Sequence, residues 1–284
     1  MKIGFIGQGW IGKNYADNFE ARGYEVVRYS LESEYAGNQE KIKDCEIVFI
    51  AVPTPTTSAG FNCEILKQVI KLVGKEKIAV IKSTVLPGTT EVLQRDNPEI
   101  FVLHSPEFLT RHTAAYDAAN PTRNIIGLPK DNEIYRKKAQ AVMAILPKAP
   151  YEIICRSLDA ELVKYGGNCF FYFKNIFMNI LYDLSEKLGC NWEEVRQMVA
   201  ADPRIGAEHT HPVNQGGRGA GGDCLIKDFE AFIRLYKNYV GDQAGLNTLR
   251  NLRDKNISLL VGSNKDLDLL KGVYGDDVVD KIIK

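Results

Sequence analysis

The chain has 284 residues, 45% of them hydrophobic and 25% charged, which is the composition of an ordinary globular protein and excludes a fibrous or disordered one. Lys+Arg and Asp+Glu each number 36, so the basic excess that nucleic acid or an anionic membrane surface usually requires is missing. At roughly 100–200 residues per domain, the length suggests two domains.

The N-terminus MKIGFIGQGW has no basic region followed by a long apolar run and a cleavage site, so no secretory signal is expected. No stretch approaches the ~20 apolar residues of a membrane span. Cys45, Cys63, Cys155, Cys169, Cys190 and Cys224 show neither CxxC spacing nor a partnering His cluster. A disulfide framework and a metal site are therefore not expected, and the reducing cytoplasm is the expected compartment.

The first half alternates β-rich runs with helical stretches. Strands are predicted near Ile3–Ile6, Glu25–Tyr29, Glu46–Ala51, Ile78–Lys82, Ile100–His104, Ile125–Gly127 and Tyr151–Ile154, with amphipathic segments such as Glu64–Val73 and Glu133–Leu146 between them. Such alternation implies an α/β fold: a doubly wound parallel sheet covered on both faces. From Ser157 to Leu188 no proline interrupts a helical repeat of apolar positions, which predicts one long helix. Its aromatic part, Phe170–Phe173, suggests burial on several sides, inside a domain or a dimer. Everything beyond Arg156 reads as helix and loop. Three regions result: a dinucleotide-binding Rossmann domain over 1–155, a helical domain over 156–261, and a short tail over 262–284 able to form two short helices.

Residues 7–12, GQGWIG, follow an apolar strand and open a helix running toward Arg22. Gly7, Gly9 and Gly12 thus satisfy GxGxxG in its strand–turn–helix context, where the backbone can approach a pyrophosphate at a positive helix end. The second strand should end in an acid that accepts the ribose hydroxyls. Here it ends at Ser30, with Glu32 two residues on, which favours NAD. Arg28 and Ser30 leave a 2′-phosphate, and so NADP, as the alternative.

Other segments stand far apart yet carry reactive side chains: AVPTPTT (51–57), KSTVLPGTT (82–90), SPEFLTRHTAAYDAANPTRNIIG (105–127), AELVKYGGN (160–168), DPRIG (202–206) and GGRGAGGDCLIKD (216–228). Cys224 ends a glycine-rich loop just before a Lys-Asp pair that opens a helix, where a positive terminus and a cation favour thiolate. The other five cysteines read as inert. Lys164 and Asn168, four apart on the long helix, share a face with Glu161 and Phe171, and an ammonium beside an amide can steady an oxyanion. Gly166 and Gly167 each cost that helix about 1 kcal/mol relative to Ala, which suggests a close approach to the backbone. Asp228 reads either as a helix N-terminal carboxylate or as a base or water-orienting group. Thr84 and Glu107 follow strand ends at the sheet's carboxyl edge, where doubly wound folds bind ligands.

With these motifs in this order, the chain resembles the UDP-glucose/GDP-mannose dehydrogenase family from residue 1 to about residue 260. The resemblance implies an NAD-dependent, four-electron oxidation of a sugar primary alcohol to a carboxylate, with C6 of UDP-glucose as the expected position and polysaccharide biosynthesis as the setting. It makes Cys224 the nucleophile of a thiohemiacetal and then a thioester, and Lys164 and Asn168 the oxyanion stabilisers, Lys164 being also a candidate base. Asp228 and Thr84 handle the water, and Glu107 serves thioester hydrolysis. It assigns cofactor contacts to Gly7, Gly9, Trp10, Ile11, Gly12, Ser30, Glu32, Val52, Pro53, Thr54 and Thr84. Substrate contacts fall to Phe108, Leu109, Lys164, Asn168, Asn214, Gly219, Gly221 and Arg204, the last reaching the sugar from a partner subunit. A homodimer built on the long helix follows.

The chain also departs from the family pattern. CLIKD, with Ile226, stands where CFPKD is usual, Ser105 replaces an Asn, and Arg111 followed by His112 replaces an acid. Only Leu31–Cys45 separates the second strand from the third, and the family's C-terminal uridine-binding domain is expected to be absent. Two further readings compete: a β-hydroxyacid dehydrogenase performing one two-electron step, which has no need of Cys224, and a non-catalytic binding or regulatory paralogue.

Overall fold

The computed structural model describes residues 1–279. Among these residues the strands are, in chain order, β1 (Lys2–Ile6), β2 (Glu25–Tyr29), β3 (Ile47–Ile50), β4 (Thr56–Thr57), β5 (Gly60–Phe61), β6 (Ile78–Ile81), β7 (Phe101–His104), β8 (Arg123–Leu128), β9 (Tyr151–Arg156), β10 (Val213–Asn214) and β11 (Gly217–Arg218). The helices are α1 (Trp10–Ala21), α2 (Ser33–Ala36), α3 (Glu64–Val69), α4 (Thr89–Asp96), α5 (Ala114–Ala119), α6 (Glu133–Ile145), α7 (Ser157–Leu188), α8 (Trp192–Ala200), α9 (Gly222–Tyr239), α10 (Gln243–Gly262) and α11 (Leu267–Tyr274). Two compact units result, one of Met1–Thr54 with Asn62–Lys164, the other of Pro55–Phe61 with the chain from Tyr165 onward. The division falls inside α7, eight residues after its start.

The first unit is a seven-stranded sheet of order β2-β1-β3-β6-β7-β8-β9. Successive residues of β3 and β6 are all buried, so both faces are covered, as the apolar runs require. One face carries Ile3, Phe5, Phe49, Val80 and Leu103 against Tyr15, Ala16 and Phe19 of α1 and Ala139 and Val142 of α6. The strands from β2 to β7 run parallel. β8 pairs antiparallel to β7 through His104 and Gly127, and β9 is parallel to β8. Residues 105–122, whose one helix is α5, bring the chain back into the sheet on the edge it has just left, so β8 starts at the carboxyl edge of β7 instead of at its far end.

The second unit is built on the C-terminal three-quarters of α7. Cys169, Tyr172 and Ile176 pack against Phe229 and Ile233 of α9, and the Tyr172 ring lies stacked on Phe229 at 3.8 Å. A second cluster joins Ile226 to Ile257, Leu260, Leu270 and Val273. The long helix is not buried on several sides within this chain, since Phe170 and Phe177 are both more than half exposed. Nor is the unit wholly helical: β4–β5 and β10–β11 are small antiparallel hairpins, too short to show as strand patterns. In the tail, α11 and a 3₁₀ turn at Asp276–Val278 form, and residues 280–284 of the second expected helix lie outside the described residues. All six cysteines are free thiols, and among the described residues no helix is long and apolar enough to cross a membrane.

Candidate active site

In the first unit, β1 turns through Gly7 into α1. Gly7 holds φ at +90°, and a Cβ there would stand 2.2 Å from the Ala51 carbonyl oxygen. A Cβ on Gly12 would stand 1.9 Å from the carbonyl oxygen of Gly7, so packing fixes both residues as glycine. Gly9 differs, because a Cβ there would meet nothing within 4 Å and the residue is the N-cap of α1 with no side-chain cap. The first N–H groups of α1, beginning at Trp10, are thereby left for an external acceptor, the arrangement that takes a pyrophosphate. Ile11 packs on the sheet core behind them. These residues fit a dinucleotide.

At the end of β2, Ser30 Oγ accepts the Glu32 N–H at 3.3 Å, and the Glu32 side chain is exposed. Arg28 is committed elsewhere: its guanidinium pairs with Asp17 at 2.6 Å and Glu20 at 2.7 Å, both on α1. Two carboxylates already neutralise the cation that the sequence offered to a 2′-phosphate, which removes the argument for NADP. The loops after β3 and β6 are tied together. The Val52 N–H donates to Ser83 Oγ at 2.9 Å, that hydroxyl donates to the Val52 carbonyl at 2.7 Å, and the Thr54 hydroxyl donates to the Thr84 carbonyl at 2.6 Å. Pro53 is left exposed between two anchored neighbours.

Below this edge lies a buried charged cluster. Lys164 Nζ donates to Glu107 Oε1 at 2.7 Å and to the Glu107 carbonyl at 2.8 Å, with both side chains nearly inaccessible. The second carboxylate oxygen of Glu107 accepts the Leu109 N–H at 2.9 Å. An ammonium has three protons, so one N–H of Lys164 has no partner among the described residues. Lys82 Nζ donates to Ser105 Oγ at 3.1 Å and stands 4.4 Å over the Tyr15 ring, and burial pushes its pKa down to about 8. Beside it, burial lowers the pKa of His104 to about 3, so the imidazole is neutral. Glu161, which shares the helix face of Lys164, has a structural partner instead: it accepts the N–H groups of Gly88 and Thr90 at 2.6 and 2.8 Å and the Thr90 hydroxyl at 2.6 Å, closing the N-terminus of α4. Lys82 and Glu161 depend on neighbours distant in sequence: helix spacing put Glu161 on the face of Lys164 without pointing to α4, and no local signal marked the burial of Lys82.

In the second unit, Asp228 is buried, accepting Asn168 Nδ2 at 2.6 Å on one oxygen and Lys227 Nζ at 2.6 Å on the other. It lies in the second turn of α9, because the helix opens at Gly222 and not at the Lys-Asp pair. A helix N-terminal role is thus excluded, and Cys224 moves into the first turn. The loop before it is clamped. Asn256 accepts the Ala220 N–H at 2.7 Å and donates to the Ala220 carbonyl at 3.0 Å, while Asp266 accepts the Gly222 N–H at 2.8 Å. Gly219 holds φ at +91° and a Cβ there would stand 2.8 Å from Asn256 Oδ1, so that position favours glycine; a Cβ at Gly221 would stand 2.1 Å from Asp266 Oδ2 and would displace that side chain. Asn214 lies exposed in β10. Arg204 is exposed and paired with Asp202 at 2.6 Å. Gly166 has nothing within 4 Å of its missing Cβ, so none of the described residues makes the close approach its helix position suggested. Phe171 stacks on His209 at 4.6 Å.

A sheet of this order entered through a glycine turn, with a buried Lys–Glu pair at its carboxyl edge, defines a protein with a Rossmann-type dinucleotide-binding fold. Residues 28–146 match the NAD binding domain of the UDP-glucose/GDP-mannose dehydrogenase family, and residues 158–256 match its central domain. The chain belongs to that family. It is 28% identical over 276 residues to a UDP-glucose 6-dehydrogenase of Rickettsia prowazekii, covering 91% of this chain and 62% of that one. The chain thus spans less than two thirds of the length of this curated relative. Among solved structures, a UDP-glucose dehydrogenase from Pyrobaculum islandicum superimposes with TM-score 0.77 at 25% identity, covering 95% of this chain and 70% of that one. A 3-hydroxyisobutyrate dehydrogenase of Mycobacterium tuberculosis shares the fold, with TM-score 0.70 at 16% identity over 100% of this chain and 99% of that one.

Proposed function

We propose that the chain oxidises the primary alcohol of a nucleotide sugar, UDP-glucose at C6, to the carboxylate in two NAD-dependent steps. The observation that carries this reading is the position of Cys224 in the first turn of α9, where the helix dipole favours an anionic sulfur and a clamped glycine loop fixes the approach. A single two-electron oxidation needs no thiol.

Bound at the Gly7–Gly12 turn, with Glu32 toward the ribose, NAD supplies the hydride acceptor for both oxidations. Lys164, held by Glu107 with one N–H uncommitted, steadies the alkoxide and later the tetrahedral oxyanion, with Asn168 as the second donor. The Cys224 thiolate adds to the aldehyde carbon, and the resulting thiohemiacetal becomes a thioester when its C–H hydride leaves. Water then attacks the thioester carbon, the C–S bond breaks, and the thiol is restored. Asp228, whose two oxygens are already fixed by Asn168 and Lys227, and Thr84 orient that water, and Glu107 assists the hydrolysis. Phe108 and Leu109 in the first unit, and Asn214, Gly219 and Gly221 in the second, are the substrate contacts that family membership implies.

A second copy of this chain completes the enzyme. Phe170, Phe177 and Leu184 recur at seven-residue intervals on α7, flanked by Ile180 and Leu188, and all five are exposed. That is the spacing of a helix–helix seam. Arg204 then serves the partner's sugar. The reading is tested with Cys224→Ala. Loss of uronate formation with NAD binding retained is the expected result, and undiminished acid production by the variant would overturn it.

A further inference from the structure

Arg123 was not marked by its sequence. It opens β8, the strand that runs against β7. With His104 opposite Gly127, the antiparallel register continued outward sets Arg123 opposite Phe108, beyond the carboxyl edge of β7. The structure agrees: the guanidinium carbon stands 3.7 Å over the Phe108 ring. Lys164 Nζ is 5.8 Å from the centre of the same ring. Phe108 therefore has two cations around it, and they differ in one respect. Lys164 is neutralised by Glu107, whereas Arg123 has no carboxylate and no hydrogen-bond acceptor among the described residues, and its Nε is buried without a partner. Burial alone lowers its pKa, with no acid to offset that cost. An arginine whose face is covered by an aromatic ring presents its N–H edge in a fixed fork, the shape that suits a phosphate.

The dinucleotide cannot be the anion. Its pyrophosphate belongs at the β1–α1 turn, and four strand spacings of about 4.8 Å, roughly 19 Å, separate β1 from β8 in this sheet. Lys164, by contrast, holds the reacting oxygen in the proposed reaction, and a sugar ring separates a C6 oxygen from a diphosphate at C1. We infer that Arg123, seated on Phe108, is a diphosphate-binding residue for the nucleotide-sugar substrate. The inference rests on the substrate class proposed above and names the group that recognises its carrier.

Calorimetric titration of the full chain with UDP, and separately with inorganic pyrophosphate, tests it. The wild-type chain binds both, Arg123→Met weakens both by about tenfold or more, and Arg123→Lys falls between, while NAD affinity stays within about twofold. On the unsubstituted protein, the Arg123 Nε–H resonance, identified by its absence from Arg123→Lys, moves when UDP is added. Equal UDP affinity in wild type and Arg123→Met, a stationary resonance, or a wild-type chain that binds neither probe would each overturn the inference. Because the readout is binding, the two claims fail separately: UDP bound through Arg123 without any NADH formed sinks only the reaction, and turnover with Arg123-independent binding sinks only this residue.

Discussion

Lys82 gives the sharpest test of how the site is built. It is 4% exposed, its ammonium has one hydroxyl and one aromatic face for company, and its pKa falls from 10.5 to about 8. At about 1.4 kcal/mol per pH unit, that difference makes the buried charge cost the folded state about 3 kcal/mol. Below pH 8 both folded and unfolded chains hold the proton and the whole cost is present. Between about pH 8 and 10.5 the unfolded chain keeps the proton and the folded chain releases it, so stability rises with pH. Lys82→Met, similar in length and uncharged, is therefore more stable than wild type by about 3 kcal/mol at pH 7, and the gain closes as pH approaches 10.5. Urea unfolding of both proteins, followed by circular dichroism at intervals from pH 7 to 10.5, measures the difference directly. A Lys82→Met chain no more stable at pH 7, or a gain equally large at both ends of the range, would show that Lys82 does not carry a buried charge at neutral pH.

Three further outcomes follow from the geometry. Glu161→Ala strands the N-terminus of α4 by removing three hydrogen bonds, and thermal melting will show a Tm lower by about 5–10 °C. Glu32→Gln raises NADP affinity relative to NAD, whereas Arg28→Gln leaves the preference where it was, because Arg28 is held by Asp17 and Glu20; titration with both cofactors separates the two. Phe170→Glu with Phe177→Glu converts a dimer to a monomer in sedimentation velocity, and an unchanged sedimentation coefficient would remove α7 as the seam.

All seven strands of the large sheet were legible because each is a short apolar run between helical segments, and Ser157–Leu188 because an unbroken 3.6-residue pattern has clear ends. The direction of β8 was not legible. Its Ile-rich run reads the same either way, and direction is set by where residues 105–122 re-enter the sheet. That reversal is what brings Arg123 beside Phe108. The charged cluster was half legible. Glu107 and Lys164 stood out by position, but their pairing, like the capping of α4 by Glu161 and the burial of Lys82, depends on contacts that sequence spacing does not encode. The glycines of residues 216–222 were visible as a run, yet their reason, the clamp from Asn256 and Asp266, lies some forty residues away. Gly166 shows the opposite: a residue whose cost suggested a close neighbour and whose surroundings among the described residues are open.

In the proposed reaction one thiol allows two successive oxidations of the same carbon. The most direct measurement of this is the stoichiometry of NADH formed per sugar acid when the full chain turns over UDP-glucose with NAD. Two NADH are expected per uronate, with no free aldehyde, and no uronate from Cys224→Ala. One NADH per product, or undiminished acid formation without the thiol, would contradict it.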